Sequence, residues 1–133
     1  MPQQIDALVV SERMEHVKSL VRILDGLLIS VYVACTVKQA QEVLYRQPLG
    51  LVFCDERLSG GSYRELLQSV DVRRKASRFV IMLQTGEWDE YLEAMRLGAF
   101  EVIRCPVQPT DVEMALINAT RDQAQRAAMR MTA

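Results

Sequence analysis

Short apolar runs alternate with helical patterns from one end of the chain to the other. The runs fall at residues 7–10, 28–33, 51–54, 79–83 and 101–103. Four of the five lack alternation and are rich in branched residues, which is how strands covered on both faces of a parallel sheet read. Between them, Met14, Val17, Leu20, Val21 and Leu24 recur at three- and four-residue steps and predict a first amphipathic helix. Val37, Ala40, Val43 and Leu44 predict a second, entered through Thr36 with Gln39 three residues on. Leu66, Leu67 and Val70 predict a third behind Ser62 and Glu65, and Val112, Ala115, Leu116 and Ala119 a fifth behind Thr110 and Glu113. All three entries have the form of a capping box, in which the hydroxyl and the amide or carboxylate satisfy each other's orphan N–H groups. The fourth helix carries Tyr91, Leu92 and Met95 and stops at Gly98, suited to a left-handed cap.

Five strands alternating with five helices imply an α/β fold, a doubly wound five-stranded parallel sheet of flavodoxin-like (βα)5 type with strand order 2-1-3-4-5. Residues 1–125 are read as this domain and 126–133 as a C-terminal helical tail, since helix formers continue after about Ala119 without a wide apolar face. The 133 residues, half of them hydrophobic and a quarter charged, suit one domain with a real core.

Sixteen Lys plus Arg against 17 Asp plus Glu leave a formal charge of -1, so no basic excess is available for a polyphosphate backbone and direct nucleic-acid binding is not expected. No apolar run approaches the ~20 residues of a spanning helix, and Met1 to Asp6 lack the cationic start of a signal peptide, so a cytoplasmic chain without membrane contact is expected. Three cysteines at wide spacing with a single histidine support neither a disulfide framework nor a zinc site. Cys35 and Cys54 are expected to be small buried hydrophobes.

In such a sheet, ligands collect outside the carboxyl ends of the strands. The residues there are Ser11 and Glu12, then Asp55, Glu56 and Arg57, then Gln84 and Thr85, then Arg104, Cys105 and Pro106. Val52 to Gly60 looks like a strand ending in a phosphoacceptor aspartate, and Glu93 to Ile103 is similar to a helix, Gly-Ala turn and fifth strand that precede a proline, here Pro106. On these residues the chain resembles the receiver domain of two-component response regulators along nearly its whole length.

The resemblance implies Asp55 as phosphoacceptor and a Mg²⁺ site made by Glu12, Asp55 and the backbone carbonyl of Arg57. That site is weakened or lost, because Ser11 replaces the first acidic residue of the usual pair. Cys105 stands where the family has its lysine, and a neutral thiol cannot pair with a phosphoryl oxygen. Arg104 is adjacent, but strand alternation points it to the opposite face. Gln84 and Thr85 both compete for the hydroxyl position, and Val102 replaces the switch aromatic. Trp88, Tyr91, Val102 and Arg104 mark the implied contact face. The implied partners are a histidine kinase or phosphotransfer protein, a downstream protein or output domain, and a second copy of the chain as a homodimer.

Two functions are carried forward. The favoured one is a phosphorelay module that accepts a phosphoryl group on Asp55 and acts through protein contacts. The other is a pseudo-receiver that keeps the fold as an interaction domain. Neither is an enzyme turning over a small molecule, and a flavodoxin-type cofactor enzyme is disfavoured because no phosphate-cradling loop follows the first strand. His16, off the apolar stripe of the first helix, is expected to be an ordinary solvated histidine.

Overall fold

The structure, a computed structural model, describes residues 5–47, 49–69 and 77–132. Its sheet has five parallel strands, β1 (Ala7–Val10), β2 (Val31–Ala34), β3 (Leu51–Asp55), β4 (Arg78–Leu83) and β5 (Glu101–Arg104), in the order 2-1-3-4-5. The helices are α1 (Met14–Gly26), α2 (Val37–Arg46), α3 (Tyr63–Ser69), α4 (Trp88–Arg96) and α5 (Pro109–Thr132). A small hairpin, Arg57–Leu58 against Gly61–Ser62, leads from β3 into α3. The expected fold is the observed one.

Strand alternation divides the core into two layers. Ala7, Val9, Leu51, Phe53, Val80, Met82 and Ile103 pack under α1 and α5, against Val17, Leu20, Leu24, Val112, Ala115 and Ala119. Leu8, Val10, Val52, Cys54, Phe79, Ile81 and Leu83 pack under α2, α3 and α4, against Ala40, Leu44, Leu66 and Ala94. The two-residue period therefore sends Ser11, Asp55, Gln84 and Cys105, the next steps of the first series, toward the α1/α5 side of the sheet's carboxyl edge.

Several local expectations are corrected. The run at residues 28–33 is not one strand. Leu28 closes α1 in the left-handed region at φ 61°, and its N–H bonds the Asp25 carbonyl while that of Ile29 bonds Leu24. This is the helix-ending geometry that glycine normally serves. β2 starts only at Val31 and is an edge strand with Tyr32 and Val33 exposed.

At α5, Pro109 takes the first helical position, for which its fixed φ and missing N–H suit it. The Asp111 carboxylate accepts from the N–H of Gln108 at 2.9 Å, so the helix opens two residues before the expected Thr110–Glu113 box would start it. The other two entries are capped by the expected residues without closing reciprocal boxes, since the Gln39 side chain turns to the N–H of Cys35 and the Ser62 hydroxyl accepts from the N–H of Arg64. Thr36 accepts from the N–H of Gln39 at 3.1 Å, and Glu65 accepts from the N–H of Ser62 at 2.6 Å. On α4 it is Ala94 that is buried, and Tyr91, Leu92 and Met95 are partly exposed. Gly98 has φ 109° and closes that helix as expected. Cys54 is buried, but Cys35 is exposed. Val70 lies outside the described residues, as do Met1 to Gln4. Among the described residues no helix is long and apolar enough to cross a membrane.

Candidate functional site

Asp55 ends β3 and is 3% exposed. Such a carboxylate must be matched by donors or it would be protonated or costly. Three residues at the start of the chain supply them. Ser11, fully buried just past β1, donates its hydroxyl to Asp55 Oδ2 at 2.5 Å and accepts from the backbone N–H of Arg13 at 3.1 Å. Arg13, the residue before α1, donates Nη2 to Oδ1 at 3.1 Å and Nε to Oδ2 at 3.4 Å. His16, in the first turn of α1, places Nδ1 3.2 Å from Oδ1. The same nitrogen lies 3.0 Å from Arg13 Nη2, so it donates to the carboxylate in one tautomer and accepts from the guanidinium in the other.

Burial pushes the Asp55 carboxyl up, but the hydrogen bonds from His16, Arg13 and Ser11 together outweigh it and hold it below the usual carboxylate range. Gln84, just past β4, lays its amide against the Arg13 guanidinium, and with the amide oriented so that its oxygen faces these donors, as the hydrogen bonding requires, it accepts from Nη1 and Nη2 at 2.8 and 2.5 Å. Cys105, just past β5, sets its Sγ 3.9 Å from Arg13 Nη2, and burial raises its thiol above the ordinary value. The site is thus a buried carboxylate wrapped around one arginine head.

The expected site residues divide between this pocket and other places. Asp55, Gln84 and Cys105 meet around Arg13. Glu12 is exposed and accepts the hydroxyl of Ser59. Thr85 donates to Glu90 at 2.9 Å, so it is Gln84 that enters the pocket. Arg57 is paired with Ser62 in the small hairpin. Arg104 lies across Gly86, where a Cβ would come within 3.1 Å of its Nη1.

Trp88 and Tyr91 stack at 5.2 Å between ring centroids and 14° between planes. With Val102 and Arg104 they border a 140 Å³ groove on the α4 side of the sheet. His16 is a correction, since its side chain is 13% exposed and engaged with Asp55, and its Nε2 is buried without a partner among the described residues. Arg13 was not singled out from sequence. The available signal was its place two residues past Ser11, at the mouth of the carboxyl edge.

Mg²⁺ takes oxygen ligands and keeps several waters. Here Asp55 is saturated by protein donors, Ser11 stands in the first acidic position, Glu12 is turned to Ser59, and the nearest further donors are an imidazole and a thiol. These residues do not fit a Mg²⁺ ion.

No protein-family profile matches the chain. A stretch of 74 residues is 34% identical to Response regulator protein PilR of Pseudomonas aeruginosa, covering 56% of this chain and 17% of PilR. The chain thus spans a small part of the length of that relative. The receiver domain protein (CheY-like) of Methanospirillum hungatei superimposes with a TM-score of 0.84 at 18% identity, over 93% of this chain and 99% of that one. NtrX of Brucella abortus, solved in complex with ADP, gives 0.84 at 20% identity over 97% of this chain and 29% of its own. The fold is that of response regulator receiver domains.

Proposed function

We propose that the chain is a receiver-type module of two-component signalling that works as a protein-interaction domain without phosphorylation of Asp55. The observation that carries this is the guanidinium of Arg13 on both oxygens of Asp55. A carboxylate attacking phosphorus needs a free lone pair and a cation that holds the incoming phosphoryl oxygens. Here the cation nearest the carboxylate is spent on it. The surroundings agree: burial raises the Cys105 thiol that stands in the lysine place, and in the place of an acidic pair stand Ser11, bound to Asp55, and Glu12, turned to Ser59.

The contact surface is the groove bordered by the Trp88–Tyr91 stack, Val102 and Arg104, since partly exposed aromatics and arginine are the types that carry interface energy once desolvated. The second reading, phosphoryl capture by Asp55, is favoured by its place at the end of β3 at the sheet's carboxyl edge.

Intact mass after incubation with phosphoramidate and Mg²⁺ separates the two. Wild type is expected to gain no phosphoryl group under conditions that load an ordinary receiver. An adduct on wild type that disappears in Asp55→Asn would overturn the proposal in favour of the second reading.

A further inference from the structure

Arg13 Nη2 has an unusual set of neighbours: His16 Nδ1 at 3.0 Å, Asp55 Oδ1 at 3.1 Å and Cys105 Sγ at 3.9 Å. Those ligand-type atoms all lie within 4.8 Å of one another. A protein cation therefore stands at the centre of an imidazole, carboxylate and thiol set. We propose that this pocket is a binding site for a borderline-soft divalent ion of the Zn²⁺ class, held by His16, Asp55 and Cys105, with the side chain of Arg13 as the resident competitor that leaves when the ion enters. This is a different donor chemistry from a Mg²⁺ site, because nitrogen and thiolate sulfur select Zn²⁺ and its neighbours while Mg²⁺ requires oxygen. It does not depend on whether Asp55 accepts a phosphoryl group.

The charge arithmetic allows the exchange. Without metal the charges of Asp55⁻ and Arg13⁺ cancel, with Cys105 present as the thiol. With Zn²⁺ bound, Asp55⁻ and the Cys105 thiolate cancel the charge of the ion. One Zn²⁺ enters while the guanidinium and one thiol proton leave, the proton going to solvent.

The path for Arg13 is open, since its side chain is 46% exposed. The ligands are also near enough. His16 Nδ1 and Asp55 Oδ1 are already 3.2 Å apart, about the ligand spacing of a tetrahedral site with bonds of ~2.0–2.1 Å. Cys105 must close by roughly 1 Å to meet a Zn–S bond of ~2.3 Å, a move within reach of its χ1 rotation. The amide oxygen of Gln84, which faces the same arginine nitrogens, or a water, is placed to complete four-coordination. The sheet supplies Asp55, Cys105 and Gln84 from one rigid edge, and α1 supplies His16.

Sequence spacing hid this site because its ligands are 39 and 50 residues apart and match no metal motif. The common parity of the strand ends brings Asp55 and Cys105 together, and the seating of α1 on the sheet adds His16.

The test uses the full chain, reduced, with Cys35→Ser in every protein to remove the exposed thiol. Zn²⁺ is titrated against a chromophoric chelator, and Co²⁺ is followed by its visible bands and its near-ultraviolet thiolate charge-transfer band. One Zn²⁺ per chain is expected, with a thiolate band on Co²⁺. Affinity should fall at least ten-fold in His16→Gln and in Cys105→Ser, and rise in Arg13→Met, which removes the competitor. Absence of stoichiometric Zn²⁺ binding in the Cys35→Ser parent, or absence of the Co²⁺ thiolate band, overturns the proposal. So does affinity unchanged in both ligand variants. The thiolate band of the parent decides alone should a ligand variant fail to fold.

Discussion

Replacing Arg13 by Met removes the guanidinium and keeps an apolar stem, leaving Asp55 buried with only Ser11 and His16 as donors. Two unit charges ~4 Å apart attract by about 4 kcal/mol at an effective dielectric near 20, an upper bound here. Two features reduce it. The Arg13 side chain is 46% exposed, so water screens its side of the pair, and the Nε contact is long at 3.4 Å. The pair sits between an exposed bridge, worth about 0–1 kcal/mol, and a buried one, whose rupture costs about 3–5 kcal/mol.

A destabilisation of about 1–3 kcal/mol is therefore expected for Arg13→Met, read by urea unfolding at neutral pH with chelator present to exclude metal. In the Asp55→Asn background the same substitution should cost much less, giving a coupling of about 1–2 kcal/mol in the double-mutant cycle. An equal cost in both backgrounds would refute the reasoning, since Arg13 would then act through packing of its stem and not through the carboxylate.

Two further outcomes follow from features outside the pocket. Leu28→Gly should stabilise the fold by roughly 0.5–1 kcal/mol, because an L side chain in the left-handed region costs about 1–2 kcal/mol and this one is 88% exposed, with little burial to lose; a lower urea midpoint would contradict this. Glu93 is held below the usual carboxylate range first by its hydrogen bonds from Arg64, at 2.7 and 2.8 Å, which tie α4 to α3. A depressed folded pKa adds stability that is present above the unfolded value and lost as pH falls through the folded one. The Arg64 Nε–H resonance should accordingly hold its position from neutral pH down into the weakly acid range and move only below the ordinary glutamate pKa, whereas in Glu93→Gln it should show no such step.

How far the sequence carried the reading can be argued from the strands. Unalternating apolar runs announced strands covered on both faces, and β1, β3 and β4 are indeed buried throughout. The run at residues 28–33 misled because hydrophobicity is also used to end a helix, with Leu28 in a conformation no composition rule assigns to leucine. In the pocket, Asp55 could be found from its place after a strand. Gln84 against Thr85 could have been decided by counting in twos from Val80 and Met82, which pack on the α1 side and pass the pocket to Gln84. The same count assigns Cys105 to the pocket through Ile103 and sends Arg104 to the other face, beside Gly86 and the Trp88–Tyr91 stack.

What no periodicity could supply is the partner from α1. Arg13 precedes the helix and His16 opens its first turn, so their aim depends on how α1 is seated on the sheet, and that seating is fixed by Val17, Leu20 and Leu24 against the β1–β3 surface. Once it is fixed, a three-residue step along the chain carries the head groups of Arg13 and His16 to the same carboxylate oxygen. The apolar stripe of α1 thereby sets the chemistry of the pocket: it delivers an arginine to the place where a receiver would accept a metal and a phosphoryl group, and an imidazole that an ordinary receiver site does not need. A change in the seating of α1, by a partner or by a substitution at Leu20, would withdraw both groups from Asp55 together. Contact at α1 is therefore one route by which a partner would reach this carboxylate.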